Sequence, residues 1–463
     1  MLRIIEGTII ANIMSKIRKS LGVFLLLLGV LAIIWFSYVY VVSRVAGFHP
    51  VYLQMAGADR MTLRWGSQQA ARDTVFYGLS PTELSFEVVE EDAVTNHSVT
   101  LSNLLPQTRY YYRIKHLGQW RQDAAEWFMT TPKPGELSQT RIWLLGDPGK
   151  TVKKIPVREA ALGWLQQHPR IGRSNLDLIL TTGDQAYPNA TYQEYVTEFL
   201  TPYQGIFKNI PVWVVFGNHD ARRWSFYQLF DRPQQAEFGG LASNTPSYFS
   251  FNYAQTHIVM LDSHDADLSP GSDMLSWLQK DLRQSNQKWT IVLFHHPPYT
   301  RGTHDSDVNK IRKRRMTRVR KNVLPVLEKA GVDLVVAGHS HVYERSHLIQ
   351  NHFGLANTFD GDAMIKDAGK QVAGETVYQK PFRQDGTIIP GGTMYMVLGS
   401  SGEGNQGRFD HPALPIASAK AGSVFLDIDN ESIRSRYVTE DGDVIDKFVI
   451  RKASTSPALQ KTN

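Results

Sequence analysis

The segment LVVAGHSHVYERS (residues 334–346) of this 463-residue chain joins a predicted buried strand to a pair of histidines. Four aliphatic residues end at Gly338, and His339 and His341 then follow one residue apart. Alternate side chains of an extended chain point to the same face, so both imidazoles face one spot if the chain stays extended past Gly338. Two imidazoles at one spot suggest a metal ion. The alternative is a strand end with two solvated histidines, and the rest of the sequence must decide.

Four other apolar runs end in the same way, each in a polar signature. TRIWLLGDPG (140–149) ends at Asp147, LDLILTTGDQAY (176–187) at Asp184 and Tyr187, IPVWVVFGNHD (210–220) at Asn218, His219 and Asp220, and WTIVLFHHPPY (289–299) at His295 and His296. Helical patterns such as VREAALGWLQQ (157–167) and MLSWLQKDLRQS (274–285) lie between the runs. This alternation predicts an α/β domain, whose strands deliver ligands at their C-terminal ends.

The donor types at these five strand ends suit a pair of metal ions. The chain has no cysteine, so any metal must be held by nitrogen and oxygen ligands. Two cations need a shared carboxylate and several further donors, and together they polarise a phosphoryl oxygen and acidify a bound water that becomes the nucleophile. Phosphate esters hydrolyse very slowly in water, and positioned positive charge lowers that barrier.

The five signatures resemble the five blocks of the calcineurin-like metallophosphoesterases. They are GD-x-G (146–149), GD-x-x-Y (183–187), GNHD (217–220), V-x-x-H (292–295) and GH-x-H (338–341). Tyr187 and the sequence GHSHVYERS are similar to the purple acid phosphatase branch. The resemblance implies a catalytic domain of two packed sheets flanked by helices, and a site that hydrolyses phosphoric esters.

The same resemblance implies a ligand set of seven residues. Asp184 would bridge two metal ions, with Asp147, Tyr187 and His341 at one of them and Asn218, His295 and His339 at the other. A phenolate suits Fe(III), and the second ion would be divalent Fe, Zn or Mn. His219 would reach the substrate phosphate or protonate the leaving group. Asp220 would orient His219 from behind.

Three further positions near these blocks have weaker signals. His304 is the histidine of the loop TRGTHDSD (300–307), and it either faces the substrate or is an ordinary loop histidine. His296 follows a predicted ligand directly, so it should face away from the metals as a polar rim residue or a neighbour of the ligands. Residues 343–345 either brace the histidine loop or form a local surface ion pair.

Residues 49–131 have a different pattern, with short strands separated by turns. MTLRWGS (61–67), DTVFYGL (73–79) and HSVTLSNL (97–104) alternate apolar and polar residues and predict a β-sandwich. The spacing L-x-P-x-T-x-Y-x-Y (104–112) resembles the tyrosine corner of fibronectin type III-like domains. We expect a structural role for this domain.

The N-terminus contains an uncharged run, LGVFLLLLGVLAIIWFSYVYVVS (21–43), that is long enough to span a bilayer. Basic residues precede it, so the positive-inside rule places the N-terminus in the cytoplasm and the rest of the chain outside. An uncleaved signal anchor is the prediction, and a cleaved signal peptide is the alternative. Because MSKIRKS resembles the start of an export signal, we expect translation to begin at Met14.

Eight basic residues between Lys310 and Lys321 account for the net charge of +6. Removing them from the 50 basic residues leaves 42 against 44 acidic ones, so no nucleic-acid partner is expected. Apolar residues at helical spacing, from Val308 to Leu327, predict a helix here. Its basic face is a solvated surface, a contact for anionic lipid or a guide for a polyanionic substrate.

The sequence therefore predicts a membrane-anchored, exported phosphomonoesterase in four parts. These are a cytoplasmic N-terminus and anchor (1–45), a fibronectin III-like sandwich (46–133), a metallophosphoesterase domain (134–452) and a disordered tail (453–463). The exported part would lie in the periplasm or at the cell surface. A phosphodiesterase or nucleotidase with the same metal centre is the first alternative. A non-catalytic binding or adhesion protein is the second, and an anionic-polymer binder is the third.

Overall fold

The computed structural model describes residues 2–44, 47–150, 152–220, 223–308, 314–382 and 391–454. Two compact units divide the chain after Val45. The first unit is a single helix, α1 (Leu2–Arg44), in which Lys16–Ser37 is long and apolar enough to cross a membrane by length and composition. The second unit contains the remaining elements.

The predicted β-sandwich is present at the start of the second unit. Its strands are β1 (His49–Gln54), β2 (Met61–Ala71), β3 (Thr74–Gly78), β4 (Phe86–Val89), β5 (Val94–Leu101), β6 (Arg109–His116), β7 (Gln119–Trp120) and β8 (Glu126–Met129). One sheet has the order β1-β2-β5, and the other has the order β4-β3-β6-β7 with β8 paired to β6. The Tyr110 hydroxyl accepts a hydrogen bond from the Leu105 amide at 3.0 Å, which is the contact that the tyrosine corner predicts.

The α/β domain follows, and its strands form two further sheets. They are β9 (Thr140–Leu145), β10 (Leu178–Thr181), β11 (Val212–Trp213), β12 (Phe249–Tyr253), β13 (Thr256–Met260), β14 (Trp289–Phe294), β15 (Leu334–Ala337), β16 (Tyr343–Ile349), β17 (Ile365–Asp367), β18 (Lys370–Val372), β19 (Glu375–Phe382), β20 (Thr393–Leu398), β21 (Ile416–Ser418), β22 (Gly422–Ile428), β23 (Ser432–Thr439) and β24 (Val444–Ser454). One sheet has the order β11-β10-β9-β22-β23-β24-β19-β18. The other has the order β12-β13-β14-β15-β20-β16-β17, with β21 on β16.

Helices cover the outer faces of both sheets. They are α2 (Lys154–Gln167), α3 (Tyr192–Tyr195), α4 (Thr201–Phe207), α5 (Arg223–Leu229), α6 (Asp273–Gln284), α7 (Arg314–Arg318), α8 (Leu324–Lys329) and α9 (Gly361–Met364), with π-helical turns at Val196–Leu200 and Val319–Val323 and a 3₁₀ turn at Ala356–Thr358. Alternate residues of the central strands pack between the sheets, and the others pack against the helices. This double burial explains why the strands have continuous apolar runs.

The basic helix is partly outside the described residues, because these resume at Arg314. Arg314, Arg318 and Lys321 are exposed, as the amphipathic pattern predicts. Arg320 is an exception: its side chain is fully buried and donates to the carbonyl oxygens of Pro298 and Ser306. Arg320 is therefore not part of a solvated basic face, which is one of the three alternatives for this helix. Two residues of the predicted disordered tail, Ala453 and Ser454, instead belong to β24, which pairs with β19, and the rest of that prediction (455–463) lies outside the described residues.

Candidate metal centre

All five signatures lie in loops that follow parallel strands at one edge of the two sheets. Strands β9, β10 and β11 are mutually parallel neighbours in one sheet, and β14 and β15 are parallel neighbours in the other. The chain turns sharply where these strands end, because Asp147, Asp184 and His339 have positive φ angles of 52°, 55° and 67°. Such strained backbone at non-glycine residues is concentrated at functional sites.

Two glycines allow the loops to approach one another. A Cβ atom on Gly217 would lie 2.2 Å from Asp184 Oδ1, and one on Gly338 would lie 2.3 Å from Asp147 Oδ1. Any other residue would displace a predicted ligand. The glycines of the GNHD and GH-x-H blocks are therefore required by the packing of the carboxylates.

The first group of predicted ligands surrounds the Tyr187 hydroxyl. This hydroxyl lies 2.9 Å from Asp184 Oδ2, 3.2 Å from Asp147 Oδ2 and 3.2 Å from His341 Nε2. His341 Nε2 lies 3.4 Å from Asp147 Oδ2. The four side chains that the sequence assigns to one metal ion thus converge on one point.

The second group surrounds the imidazole of His295. Its Nε2 lies 2.8 Å from Asn218 Oδ1 and 3.4 Å from Asp184 Oδ2. Its Nδ1 lies 2.9 Å from the Thr182 carbonyl oxygen, which fixes the tautomer and leaves Nε2 available as a ligand. The ring of His339 lies 5.0 Å from that of His295. Asp184 belongs to both groups, as a bridging ligand must.

His339 and His341 do not share one face of a strand. Strand β15 ends at Ala337, and the positive φ of His339 turns the chain before His341. The expectation of an extended chain past Gly338 is therefore wrong. The turn sends His341 to the Tyr187 group and His339 to the His295 group, which is the division that the family resemblance implies.

Electrostatics favour a cation at the shared carboxylate. Burial raises the pKa of Asp184, but His295 and His219 outweigh burial and bring this pKa below its ordinary value. Burial lowers the pKa of His295, but Asp184 outweighs burial and raises this pKa to about 9. Burial and the two aspartates hold the pKa of the Tyr187 phenol well above its usual range. Metal ligands must be deprotonated, so the protons of His295 and Tyr187 occupy the positions that a metal ion would take.

The donor set fits two metal ions. Asp147, Asp184 and His295 each offer a ligand atom, and these atoms all lie within 4.8 Å of one another. Two carboxylates, a phenol, an amide oxygen and three imidazoles give enough oxygen and nitrogen donors for two coordination spheres. The residues present are therefore suitable for a dimetal centre.

His219 and Asp220 lie beside the cluster, but they are not partners. His219 donates its backbone N–H to Asp184 Oδ1 at 2.7 Å, and its Nδ1 lies 2.9 Å from the Pro188 carbonyl oxygen. The prediction that Asp220 orients the His219 ring is wrong, because the carboxylate of Asp220 is engaged elsewhere. It is fully buried and accepts from the amides of Asp184, Gln185 and Gly217 and from the Tyr195 hydroxyl.

His304 and His296 flank the two sides of His339. The His304 ring stacks on the His339 ring at 4.0 Å between centroids, so His304 lies at the cluster. His296 is buried rather than on the rim, with its Nδ1 3.0 Å from the Ser263 hydroxyl and its ring 4.7 Å from that of His339. Both histidines therefore shape the environment of one predicted ligand.

Residues 343–345 are buried, so the surface ion pair is excluded. Glu344 accepts from the Thr300 hydroxyl and, at 3.0 Å, from the Arg301 amide, and it therefore holds the loop that carries His304. Arg345 forms two hydrogen bonds to Asp446, at 2.7 and 2.9 Å, and so ties β16 in one sheet to β24 in the other.

Glu403 is a site residue that the sequence analysis did not identify. Its Oε2 lies 3.1 Å from His341 Nδ1 and 3.6 Å from Lys150 Nζ, and Lys150 lies 4.7 Å above the Tyr187 ring. Glu403 follows β20, a sixth apolar strand that is parallel to β15 and ends in glycine. The same pattern, an apolar strand that ends in glycine, therefore marks this loop as well.

Comparison with known proteins finds two family models that the chain matches. Residues 140–343 match the family model of calcineurin-like phosphoesterases, and residues 49–131 match that of the purple acid phosphatase N-terminal domain. Probable purple acid phosphatase 20 of Arabidopsis thaliana is 25% identical over 324 residues, which cover 65% of this chain and 70% of that protein. Purple acid phosphatase 18 of the same plant is 27% identical over 324 residues, covering 65% and 67%.

A solved structure supports the fold. The purple acid phosphatase from yellow lupin (Lupinus luteus) seeds superposes with a TM-score of 0.65 at 18% identity, over 90% of this chain and 79% of that one. With its two packed sheets and five ligand loops, the chain belongs to the calcineurin-like metallophosphoesterases. The preceding β-sandwich and the GD-x-x-Y tyrosine place it in the purple acid phosphatase-like branch, and it is a hydrolase of phosphoric esters.

Proposed function

We propose that the chain is a membrane-anchored, exported phosphomonoesterase with a dimetal centre. The observation that carries the proposal is the convergence of Asp147, Tyr187 and His341 on one side of Asp184 and of Asn218 and His295 on the other. The first three parts predicted from the sequence (1–45, 46–133 and 134–452) are its proposed domain organisation, and Ala453 and Ser454 join the third part because β24 extends to Ser454.

The proposed ligand set is the seven residues that the sequence assigns. Asp184 bridges the ions, one ion binds Asp147, Tyr187 and His341, and the other binds Asn218, His295 and His339. Fe(III) is proposed beside the phenolate, with Fe, Zn or Mn in the divalent state beside His339. Such ions supply Lewis-acid charge to the phosphoryl oxygens and an activated water.

His219 is the proposed proton donor to the leaving group. Its Nδ1 is held by the Pro188 carbonyl, so its Nε2 donates a proton only when the ring is protonated. His304, stacked on His339, is proposed to contact the substrate phosphate from the opposite side of the cluster. Asp220 serves as a positioning residue for the loops that carry Asp184 and Asn218.

Membrane attachment rests on the helix α1. Its apolar part, Lys16–Ser37, fits the thickness of a bilayer, and the basic residues at its start favour export of the α/β domain. We propose that the enzyme faces the periplasm or the cell surface. The exposed Arg314, Arg318 and Lys321 support a contact with an anionic surface.

The experiment that tests the metal centre is a visible absorption spectrum with metal analysis of the full chain in detergent. A broad visible band with iron bound, lost in Tyr187→Phe while the metal content remains, supports the proposed Tyr–Fe(III) pair. A colourless protein with two zinc or manganese ions per chain removes iron from the proposal. A protein without bound metal overturns the dimetal centre.

Substrate class is tested by the ratio of two rates. Turnover of para-nitrophenyl phosphate should exceed that of bis-para-nitrophenyl phosphate at equal concentration. A higher rate with the diester replaces the proposal with the phosphodiesterase alternative. The variant His219→Ala should lose more activity with a poor leaving group than with para-nitrophenolate, because a poor leaving group needs the proton more.

A further inference from the structure

A second cluster of metal-ligating side chains lies in the β-sandwich. Asp73 precedes β3, His97 lies in β5 and His116 ends β6, so the cluster draws on both sheets. One ligand atom from each residue lies within 4.8 Å of the other two. Asp73 and His97 are fully buried, and the side chain of His116 is 19% exposed.

The carboxylate of Asp73 is at the centre of this cluster. Its Oδ1 lies 2.7 Å from His116 Nδ1, and its Oδ2 lies 3.7 Å from His97 Nε2. The Ser67 hydroxyl, which donates to the Gln69 carbonyl at 2.8 Å, lies 2.8 Å from the same Nε2. The group thus contains two imidazole nitrogens and a carboxylate, a donor set that zinc accepts.

The surrounding residues hold the two buried donors in place. Glu90 Oε2 lies 2.6 Å from His97 Nδ1, so it accepts a hydrogen bond from that nitrogen and holds the ring with its Nε2 edge toward Asp73. Trp65 stacks on the His97 ring at 4.8 Å and donates its indole N–H to Asp73 Oδ2 at 2.8 Å. A carboxylate behind a histidine and a donor behind a ligating carboxylate are typical of metal sites.

The charges of the buried carboxylates also favour a cation in this cluster. Asp73 and Glu90 place two carboxylates in the interior, and the ion pairs of both are with His97 and His116. Buried carboxylates are costly unless cations balance them. A divalent cation between the two imidazoles would supply that balance.

From this geometry we propose that Asp73, His97 and His116 form a zinc site, distinct from the dimetal centre. The site is reached from solvent through a cleft of about 680 Å³, which His116 and Ser67 line together with Phe48, Trp120 and Arg121. The proposal does not depend on the function of the α/β domain.

The test compares metal content in His116→Gln and the unchanged full chain. Both proteins are loaded with zinc, dialysed and analysed for zinc per chain, and phosphatase activity is measured on the same samples. Glutamine retains a hydrogen bond to Asp73, so the variant should fold. His168→Ala, an exposed histidine outside both clusters, is the matched control for adventitious surface binding.

The expected result is one zinc ion fewer per chain in His116→Gln, with its phosphatase activity unchanged. His168→Ala should keep both its zinc content and its activity. Zinc should also raise the unfolding temperature of the unchanged chain more than that of His116→Gln. Equal zinc content in all three proteins overturns the proposal and identifies the cluster as a protonated hydrogen-bond network. A loss of zinc accompanied by a loss of activity also overturns it, because the lost ion would then belong to the dimetal centre.

Discussion

Replacing Asp220 with asparagine tests how the metal centre is positioned. The carboxylate accepts four hydrogen bonds, each 3.2 Å or less in length. Its Oδ2 accepts from the amides of Asp184 and Gly217, and its Oδ1 accepts from the Gln185 amide and the Tyr195 hydroxyl. Asparagine has one acceptor oxygen. If this oxygen keeps the first two amides, its NH₂ group faces the Gln185 amide and the Tyr195 hydroxyl. The Tyr195 hydroxyl can rotate and accept a hydrogen bond from this NH₂ group. The Gln185 backbone amide can only donate, so it is left without an acceptor.

One buried amide of the Asp184 loop therefore loses its partner in Asp220→Asn. An unpaired buried N–H costs about 1–3 kcal/mol, and the loop relaxes to relieve it. Because Asp184 is the shared carboxylate, we expect metal affinity to fall about 10–100-fold, the range seen when residues behind metal ligands are changed. Every tenfold loss corresponds to about 1.4 kcal/mol.

The assay is a titration of the metal-free protein with zinc, followed by measurement of kcat at saturating metal. Tyr195→Phe is the matched control, since it removes a single hydrogen bond from Asp220 and leaves all three amides paired. We expect about 1 kcal/mol less stability and little change in metal affinity for this control. If Asp220→Asn binds metal normally but loses kcat, the carboxylate acts through His219, and the positioning argument is refuted.

Three further changes test other parts of the site and the fold. Glu403→Gln removes the charge behind His341, so it should weaken metal binding about 10–100-fold, and an unchanged affinity in the same titration would exclude Glu403 from the centre. Arg345→Met leaves Asp446 buried without its cation, which should cost about 3–5 kcal/mol in urea unfolding, and a cost below about 1 kcal/mol would contradict the tie between the sheets. Burial raises the pKa of Glu328 to about 7, above that of an exposed glutamate, so this group stabilises the fold below about pH 4.5 and the contribution is lost as pH rises through 7. The loss is about 3 kcal/mol at most, and Glu328→Gln should flatten the fall in melting temperature between about pH 5 and pH 8; an unaltered profile would show that other groups cause it.

The positions of the predicted ligands follow from the sequence because of a general property of α/β sheets. A strand that is buried on both faces has a continuous apolar run, and its C-terminal end is visible as glycine followed by a polar residue. Asp147, Asp184 and Asn218 were found in this way. Glu403 follows a strand end of the same kind, but it lies four residues beyond Gly399, whereas the polar residue of these three other loops follows its glycine directly.

What the sequence could not show is which partner each polar group takes. Asp220 follows His219 directly, and adjacency suggested that the two cooperate. In the fold, the chain turns so that the carboxylate faces the interior and the imidazole faces the cluster. Arg320 likewise follows the basic pattern of its helix, yet it turns inward to the carbonyl oxygens of the 298–306 loop. Such choices depend on contacts between segments distant in sequence.

The β-sandwich also contacts the α/β domain near the metal centre. Its buried Arg64 pairs with Asp231 at 2.6 Å, and its Asn96 donates to the Gln228 carbonyl at 2.9 Å. Both contacts hold the end of helix α5, which follows the GNHD loop in sequence. Asn96 is adjacent to His97 on β5, so successive side chains of one strand face the catalytic domain and the proposed zinc site. The sandwich therefore fixes the segment behind Asn218 through Arg64 and Asn96, and these contacts do not include the three proposed zinc ligands.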